Sequence, residues 1–190
     1  MINKFILITA ILLLGIASVA GALYIRENVV QAYKIPAASM EPTLLVGDHI
    51  LVDRSKASRA PRRGDLIVFK YPEDPSKDFV KRVVAVAGDT VELKDKILLI
   101  NEKAIKEPYI VHNEKEIIPA TENPRDNLPL LKIAADSCFV MGDNRDRSYD
   151  SRFWGTVSKD KIKGTVKSIY WSWDKTTMSV RWDRIGKAVQ

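Results

Sequence analysis

The sequence predicts a mainly β domain with a small insertion or subdomain, preceded by one N-terminal transmembrane helix. Three observations favour this fold class. A long uncharged apolar run lies near the N-terminus, short segments rich in Val, Ile and aromatic residues follow it, and no helical period extends over a dozen residues beyond the run. The length of 190 residues fits one domain, or one domain with a small insertion.

The apolar run FILITAILLLGIASVAGALYI extends from Phe5 to Ile25 without a charge. As a helix it would be about 31 Å long, enough to cross a hydrocarbon core of about 30 Å. A cleaved secretory signal is the alternative, because ASVAGA has suitably spaced small residues, but the apolar part of such signals is about 7–15 residues long. We therefore favour a retained anchor. Lys4 precedes the run, and the positive-inside rule then favours a cytoplasmic N-terminus.

Five segments beyond the anchor are typical of β-strands, because they are short, rich in Val and Ile, and separated by Gly, Pro and Asp. They are His49–Ser55, Asp65–Tyr71, Asp78–Gly88, Asp89–Asn101 and Gly164–Trp173. The segment 102–135 differs, with three prolines after residue 115 and weak periodicity. We interpret it as a small subdomain between two halves of the main sheet. The expected organisation is a cytoplasmic stub and anchor at 1–26, followed by an extracytoplasmic domain at 27–190.

Composition argues against several classes of function. The net charge of +6 is too small to indicate a nucleic-acid partner, because acidic residues are scattered among the basic ones, but it suits a domain beside an anionic membrane. The basic segment 54–63 favours a solvated loop, and contact with anionic lipid or an acidic partner is the alternative. Cys138 is the single cysteine, and His49 and His112 stand alone, so we expect neither a disulfide nor a metal.

The stretch IPAASMEPTL contains one serine, Ser39. A loop serine is the ordinary interpretation, and a nucleophile would need a base within hydrogen-bond reach. A triad would require His49 or His112, and the context of neither argues for a base. Lysine is the alternative if burial lowers its pKa from about 10.4.

Lys81 differs from the other lysines because it lies in the apolar segment FVKRVVAVAG. Strand alternation predicts that Lys81 shares one face with apolar neighbours. These neighbours are Phe79, Val83, Ala85 and Ala87, and the opposite face carries Val80, Arg82, Val84 and Val86. An edge lysine whose amine reaches solvent is the alternative interpretation.

The third candidate region is the polar stretch MGDNRDRSYDSRFWGTV, from Met141 to Val157, whose charged core has apolar flanks. The polar groups of such a stretch can form hydrogen bonds with one another through buried ion pairs and Asx turns. It could also support a catalytic strand and supply a hydroxyl that orients a lysine amine. The two interpretations are compatible.

Taken together, IPAASMEPTLLVGD, RRGDLIVFKYPEDP followed by FVKRVVAVAGD, and MGDNRDRSYDSRFWGTV resemble, in order, the sequence boxes of bacterial type I signal peptidases. The resemblance covers roughly residues 5–175 and includes the N-terminal anchor. It implies a signal-peptidase-like β catalytic core with a small β insertion subdomain that would include residues 102–135. It also implies a Ser/Lys-dyad serine endopeptidase. Such an enzyme removes N-terminal signal peptides from exported preproteins at the outer face of the bacterial plasma membrane, after small residues of the Ala-x-Ala type.

The resemblance also implies roles for individual residues. Ser39 matches the nucleophile, Lys81 the general base and Ser148 the serine whose hydroxyl orients the lysine amine. The structural polar network would comprise Asp143, Arg145, Asp150 and Arg152. The apolar residues beside the dyad, which would line the substrate pocket, are Ile35, Met40, Leu44, Phe79 and Val80.

The family needs no metal or organic cofactor. The resemblance further implies that the partners are signal peptides and membrane lipid. We expect the protein to act as a monomer. Ala37 departs from well-studied Gram-negative relatives, which carry a serine there that helps to stabilise the oxyanion. The motifs therefore do not predict which group is the second hydrogen-bond donor to the oxyanion.

Two other peptidases and one non-enzyme are the alternatives. A specialised processing peptidase and a self-cleaving repressor protease could use a similar dyad, and a membrane-anchored β domain could bind secretion partners with the dyad residues as relics. The anchor and GDNRD argue against the repressor. Intact Ser39, Lys81 and Ser148 argue against the non-enzyme.

Overall fold

A computed structural model describes residues 4–55 and 60–189 of the chain. Residues 1–3 of the expected cytoplasmic stub and residues 56–59 of the basic segment lie outside this range. The helices are α1 (Lys4–Asn28) and α2 (Ser151–Trp154), with 3₁₀ turns at Ala38–Met40, Arg145–Arg147, Lys159–Lys161 and Trp182–Arg184. The strands are β1 (Val30–Lys34), β2 (Asp48–Asp53), β3 (Leu66–Lys70), β4 (Asp78–Val86), β5 (Thr90–Lys94), β6 (Ile97–Ile100), β7 (Lys103–Ala104), β8 (Leu128–Lys132), β9 (Ser137–Met141), β10 (Val157–Ser158), β11 (Ile162–Asp174) and β12 (Ser179–Val180).

Helix α1 is long and apolar enough to cross a membrane between Ile6 and Leu23. None of these 18 residues is buried against the rest of the protein. A core helix of a soluble domain would bury one face, whereas α1 leaves large apolar side chains exposed on all sides. The helix therefore fits a protein that is anchored in a membrane.

The strands form two antiparallel sheets, which confirms the mainly β fold class. The larger sheet has the order β1-β2-β11-β3-β4-β9-β10, and β12 pairs with β11 at one end. The smaller sheet has the order β7-β6-β5-β8. Its strands lie in the chain between β4 and β9, which are neighbours in the larger sheet. Strand β4, which carries Lys81, is thus an interior strand of the larger sheet.

The segment Asp89–Asn101 is a hairpin, so its prediction as one strand is wrong. Strands β5 and β6 pair with each other across a two-residue turn at Asp95 and Lys96, whose φ angles are 48° and 70°. Positive φ at both central residues suits the right-handed twist of the flanking strands. The smaller sheet therefore also includes strands that precede the segment 102–135.

A bulge interrupts the alternation predicted for β4. The pairing of β4 with β9 shifts between Val83 and Ala85, where one strand contains an extra residue. Val83 packs in one core cluster with Phe69 and Val140, whereas Ala85 packs with Val84 in another. The prediction that Lys81 and Ala85 share a face is therefore wrong, because the bulge reverses the facing of the strand beyond Val83.

Glu102→Gly is expected to raise the free energy of unfolding by about 0.5–1 kcal/mol, because Gly adopts positive φ without a steric penalty. Glu102 is exposed in the two-residue turn between β6 and β7, with a φ of 65°, directly after Asn101, whose φ is 51°. The change creates an Asn-Gly turn.

Urea unfolding in detergent measures the difference. Glu116→Gly is the control, because Glu116 is also exposed but does not have positive φ. An equal or lower stability for Glu102→Gly would contradict the strain at this turn.

Candidate active site

Ser39 lies in the 3₁₀ turn Ala38–Met40, which directly follows β1 and its short exit loop. Met40 and Leu44 on its C-terminal side are buried in the core. The Ile35 N–H donates to the Asp48 carbonyl, and the Gly47 N–H donates to the Ile35 carbonyl. The loop that carries the hydroxyl is thus fixed by apolar packing below it and by backbone hydrogen bonds at its base.

Lys81 on β4 meets Ser39 across 42 residues of sequence. Its Nζ donates to the Ser39 Oγ at 2.6 Å, a short hydrogen bond for an amine and a hydroxyl. Lys81 is only 4% exposed to solvent. The structure therefore brings the two sequence-predicted dyad residues into direct contact.

Burial is the dominant influence on the Lys81 amine. It lowers the pKa of Lys81 to about 8, because an ammonium loses its hydration inside the protein. The Asp150 and Asp143 carboxylates raise this pKa, and the Arg152 guanidinium lowers it, so they largely oppose each other. A lysine of this kind has a substantial neutral fraction near neutral pH and can accept a proton.

Ser148 also lies in the site, but its hydrogen bond goes to Asp150. The Ser148 Oγ donates to Asp150 Oδ2 at 2.6 Å. Gly142 allows this close packing, since a Cβ there would collide with the Ser148 hydroxyl and the Ser39 carbonyl oxygen. The hydroxyl is therefore coupled to the Lys81 amine through the Asp150 carboxylate.

Asp150 and Arg152 form a buried ion pair behind the dyad. The guanidinium donates through Nε to Oδ1 at 2.9 Å and through Nη2 to Oδ2 at 2.9 Å. Burial raises the pKa of the Asp150 carboxyl, but Arg152 and its hydrogen bonds outweigh this effect, so the pKa lies below its usual value. The Gly142 N–H also donates to Asp150. The pair fixes the backbone that runs beside Ser39.

Asp143 and Arg145, the other two predicted network residues, each use a partner that sequence reasoning missed. Arg82 donates to both oxygens of Asp143 at 2.8 Å, and the Thr43 hydroxyl donates to the same carboxylate at 2.5 Å. Arg145 pairs with Glu107 through two hydrogen bonds of 2.6 and 2.5 Å.

The missed partners differ in how much the sequence could have revealed. Arg82 was recognisable as a charge on an apolar strand, whereas nothing in the sequence singles out Glu107. Buried pairs of this type are sensitive to removal of either partner.

A groove of about 320 Å³ opens onto the dyad. Four of the five predicted pocket residues line it, namely Ile35, Met40, Phe79 and Val80. Leu44 does not, because it is completely buried in the core cluster beneath the loop. The groove wall also includes residues not predicted from the sequence, which are Pro36, Asp78, Arg147 and Tyr149, together with Ala37.

The two histidines lie in other environments. His112 Nδ1 is 3.2 Å from Asp146 Oδ1, and His49 packs edge-on against Tyr170 with ring centroids 5.8 Å apart. The base within hydrogen-bond reach of Ser39 in this structure is Lys81.

Comparison with known proteins gives one consistent result. Residues 5–171 match the family described as signal peptidase, peptidase S26. Signal peptidase I of Aquifex aeolicus (strain VF5) is 38% identical over 206 aligned residues, covering 81% of this chain and 80% of that protein. Signal peptidase I of Leptolyngbya laminosa is 40% identical, covering 81% of this chain and 75% of that protein.

Among solved structures, a signal peptidase I from Enterococcus faecalis V583 aligns at 31% identity with a TM-score of 0.44, over 55% of this chain and 95% of that one. The match along residues 5–171 and the identity to full-length relatives agree with the motifs and with the contact between Ser39 and Lys81. This chain belongs to the peptidase S26 family of signal peptidases.

Proposed function

We propose that this protein is a signal peptidase I, a membrane-bound serine endopeptidase that cleaves N-terminal signal peptides from exported preproteins. Ser39 is the nucleophile and Lys81 the general base. The observation that carries the proposal is the 2.6 Å hydrogen bond between Lys81 Nζ and Ser39 Oγ at the end of an apolar groove. A neutral buried amine in contact with a serine hydroxyl has the geometry of an activated nucleophile.

The reaction follows from these two groups. Neutral Lys81 accepts the Ser39 proton while Oγ attacks the carbonyl carbon of the residue before the cleaved bond. The resulting ammonium then protonates the leaving amine as the peptide bond breaks, which leaves an acyl ester on Ser39. A water molecule gives a proton to Lys81 and attacks this ester, and the ammonium returns the proton to Oγ on product release.

Asp150 and Ser148 assist the base. Asp150 favours the ammonium form of Lys81, which exists transiently during both steps. Ser148 holds this carboxylate through its 2.6 Å hydrogen bond, and we propose that it orients the amine by this route. The ion pair of Asp150 with Arg152 prevents the carboxylate from fixing Lys81 permanently as an ammonium.

The oxyanion would be bound by the backbone N–H of Ser39. Ala37 lines the groove with a methyl group, so its side chain supplies no second donor. Removing one oxyanion donor costs on the order of 10²–10³ in rate in other serine proteases. This chain therefore depends more heavily on backbone donors and on the base.

The groove supports a preference for small residues. Ile35, Met40, Phe79 and Val80 fill its walls and floor. In an extended substrate, alternate side chains face the same surface, so the first and third residues before the cleaved bond would enter the groove together. The apolar lining suits uncharged side chains at both positions, which is compatible with the Ala-x-Ala type of cleavage site that the family resemblance implies.

Position in the membrane completes the proposal. Residues 1–26 form the cytoplasmic stub and anchor, and residues 27–190 the extracytoplasmic catalytic domain, with 102–135 belonging to a small subdomain. Ser39 lies eleven residues beyond the end of α1 at Asn28, so the chain keeps it within about 40 Å of that helix end. Membrane lipid is then the neighbouring surface, and one copy of the chain supplies all proposed catalytic groups.

Ser39→Ala is expected to abolish cleavage of a model preprotein by the full chain in detergent, because the nucleophilic oxygen is removed. Gel analysis of the processed product measures the loss. Ser76→Ala is the matched control, since Ser76 is an exposed loop serine outside the groove and is expected to retain full cleavage. Normal processing by Ser39→Ala would contradict the proposed nucleophile.

The pH dependence of kcat/KM is expected to reflect the Lys81 amine. The base acts in its neutral form, and its pKa is lowered to about 8, so kcat/KM should rise as the pH increases through about 8. A peptide cleavage assay between pH 6 and 10 measures this limb, with circular dichroism as a check that the fold is retained. If kcat/KM instead rose at the pKa of an unshifted lysine or of a histidine, Lys81 would not be the base.

Lys81→Met is expected to stabilise the fold at pH 7 while abolishing activity. The lowered pKa means that the folded state disfavours the ammonium, a penalty that is fully present below about pH 8 and disappears as the pH rises towards the unfolded value of 10.5. The gain should therefore be about 3 kcal/mol at pH 7 and vanish above about pH 10.5.

Urea unfolding of the full chain in detergent at both pH values measures this gain. Lys70→Met, at an exposed position on β3, is the control and should show no comparable pH dependence. A Lys81→Met variant less stable than wild type at pH 7 would contradict the penalty.

A further inference from the structure

Arg147 is an exposed cation on the wall of the groove. It ends the 3₁₀ turn Arg145–Arg147 and lies directly before Ser148. The nearby Arg145 and Arg152 are buried and paired with Glu107 and Asp150. By contrast, no carboxylate in the described part of the chain lies within ion-pair distance of the Arg147 guanidinium. Its charge is therefore available to a molecule that enters the groove.

The other charges of the groove are compensated. Asp78 also lines the groove, but its carboxylate is 2.6 Å from the Lys163 Nζ. Lys81 must be neutral in the form of the enzyme in which Ser39 attacks the substrate. In that form, Arg147 is the charged residue of the groove lining that has no ion-pair partner among the described residues.

Tyr149 stabilises the wall beside Arg147. Its ring packs against Phe153 at a centroid distance of 5.0 Å and edge-on against Tyr71 at 6.4 Å. Tyr71 in turn stacks on Phe79, which lines the groove. The backbone between Ser148 and Asp150 is also fixed by the buried hydrogen bond between their side chains. The groove wall that presents Arg147 is therefore held in place from both sides.

We propose that Arg147 is a specificity-determining residue that favours an acidic side chain in the substrate close to the cleaved bond and disfavours a basic one. This inference rests on the proposed function. The side chain it contacts must point out of the groove, because the apolar pockets admit only small residues. Opposite charges at an exposed site attract weakly and like charges repel, so the effect on substrate choice is a few-fold rather than absolute.

The test uses pairs of peptide substrates that differ only by Glu or Lys at one position. The Glu or Lys is placed in turn at the second residue before the cleaved bond and at each of the first three residues after it. Wild type is expected to cleave the Glu peptide with a kcat/KM about three- to tenfold higher at one or more of these positions, at low salt.

The preference should disappear in Arg147→Gln and reverse in Arg147→Glu. The preference should appear in KM. The rise of kcat/KM near pH 8 should keep its position, because Arg147 is not among the groups that shift the Lys81 pKa. A merely structural role would lower the cleavage of both peptides alike.

Lys175→Glu is the matched control, since it changes the net charge equally and Lys175 is exposed in the turn between β11 and β12. It should keep the wild-type ratio. A Glu-to-Lys ratio that is unchanged in Arg147→Glu at every position, or that changes as much in Lys175→Glu, would overturn the inference. Wild type that cleaves no peptide would instead overturn the proposed function, and binding of the same peptides to Ser39→Ala would still decide the charge preference.

Discussion

The burial of one lysine amine against a serine hydroxyl is the constraint on which the rest of the structure depends. Lys81 can act as a base only if the surrounding protein removes its hydration, and this requires an interior strand with packed neighbours on both sides. Strand β4 meets this need because β3 and β9 flank it. The loop that carries Ser39 covers the amine, and Met40 and Leu44 anchor that loop in the core. The proposed catalysis and the hydrophobic core are therefore inseparable here.

The polar network solves an electrostatic problem that burial creates. A lone carboxylate beside Lys81 would stabilise the ammonium and remove the base. Asp150 is instead compensated by Arg152, and Asp143 by Arg82, so each carboxylate lies within a buried ion pair. Asp143 also accepts a hydrogen bond from the Thr43 hydroxyl, which joins the loop after β9 to the loop that carries Ser39. The value of the ion pairs is thus in placing and balancing charge, since buried pairs contribute little net stability compared with apolar packing.

The sequence contained most of the fold but only part of the site. Hydrophobic length and strand composition were sufficient for α1 and the β-rich domain, because these patterns are local. Residue pattern left Ser39 and Lys81 as candidates, and the ordered family motifs assigned them. The bulge at Val83 and Ala85 depends on pairing with β9, and the pairing of Arg145 with Glu107 depends on a loop path. Neither leaves a signal in a single sequence, because both arise from contacts between distant segments.

The residues that shape the groove also belong to the core, and this has a consequence for specificity. Ile35 and Met40 line the groove and pack in the same cluster as Leu44, which lies completely beneath it. Close-packed cores tolerate volume changes poorly, so the depth of the groove is set by the packing below it. A larger groove would require a cavity or a rearranged core, whereas Arg147 is exposed at the rim and can be replaced without changing the core packing. The proposed preference for small residues would therefore be set by the packing of the fold, and the proposed charge preference by an exposed residue at the rim.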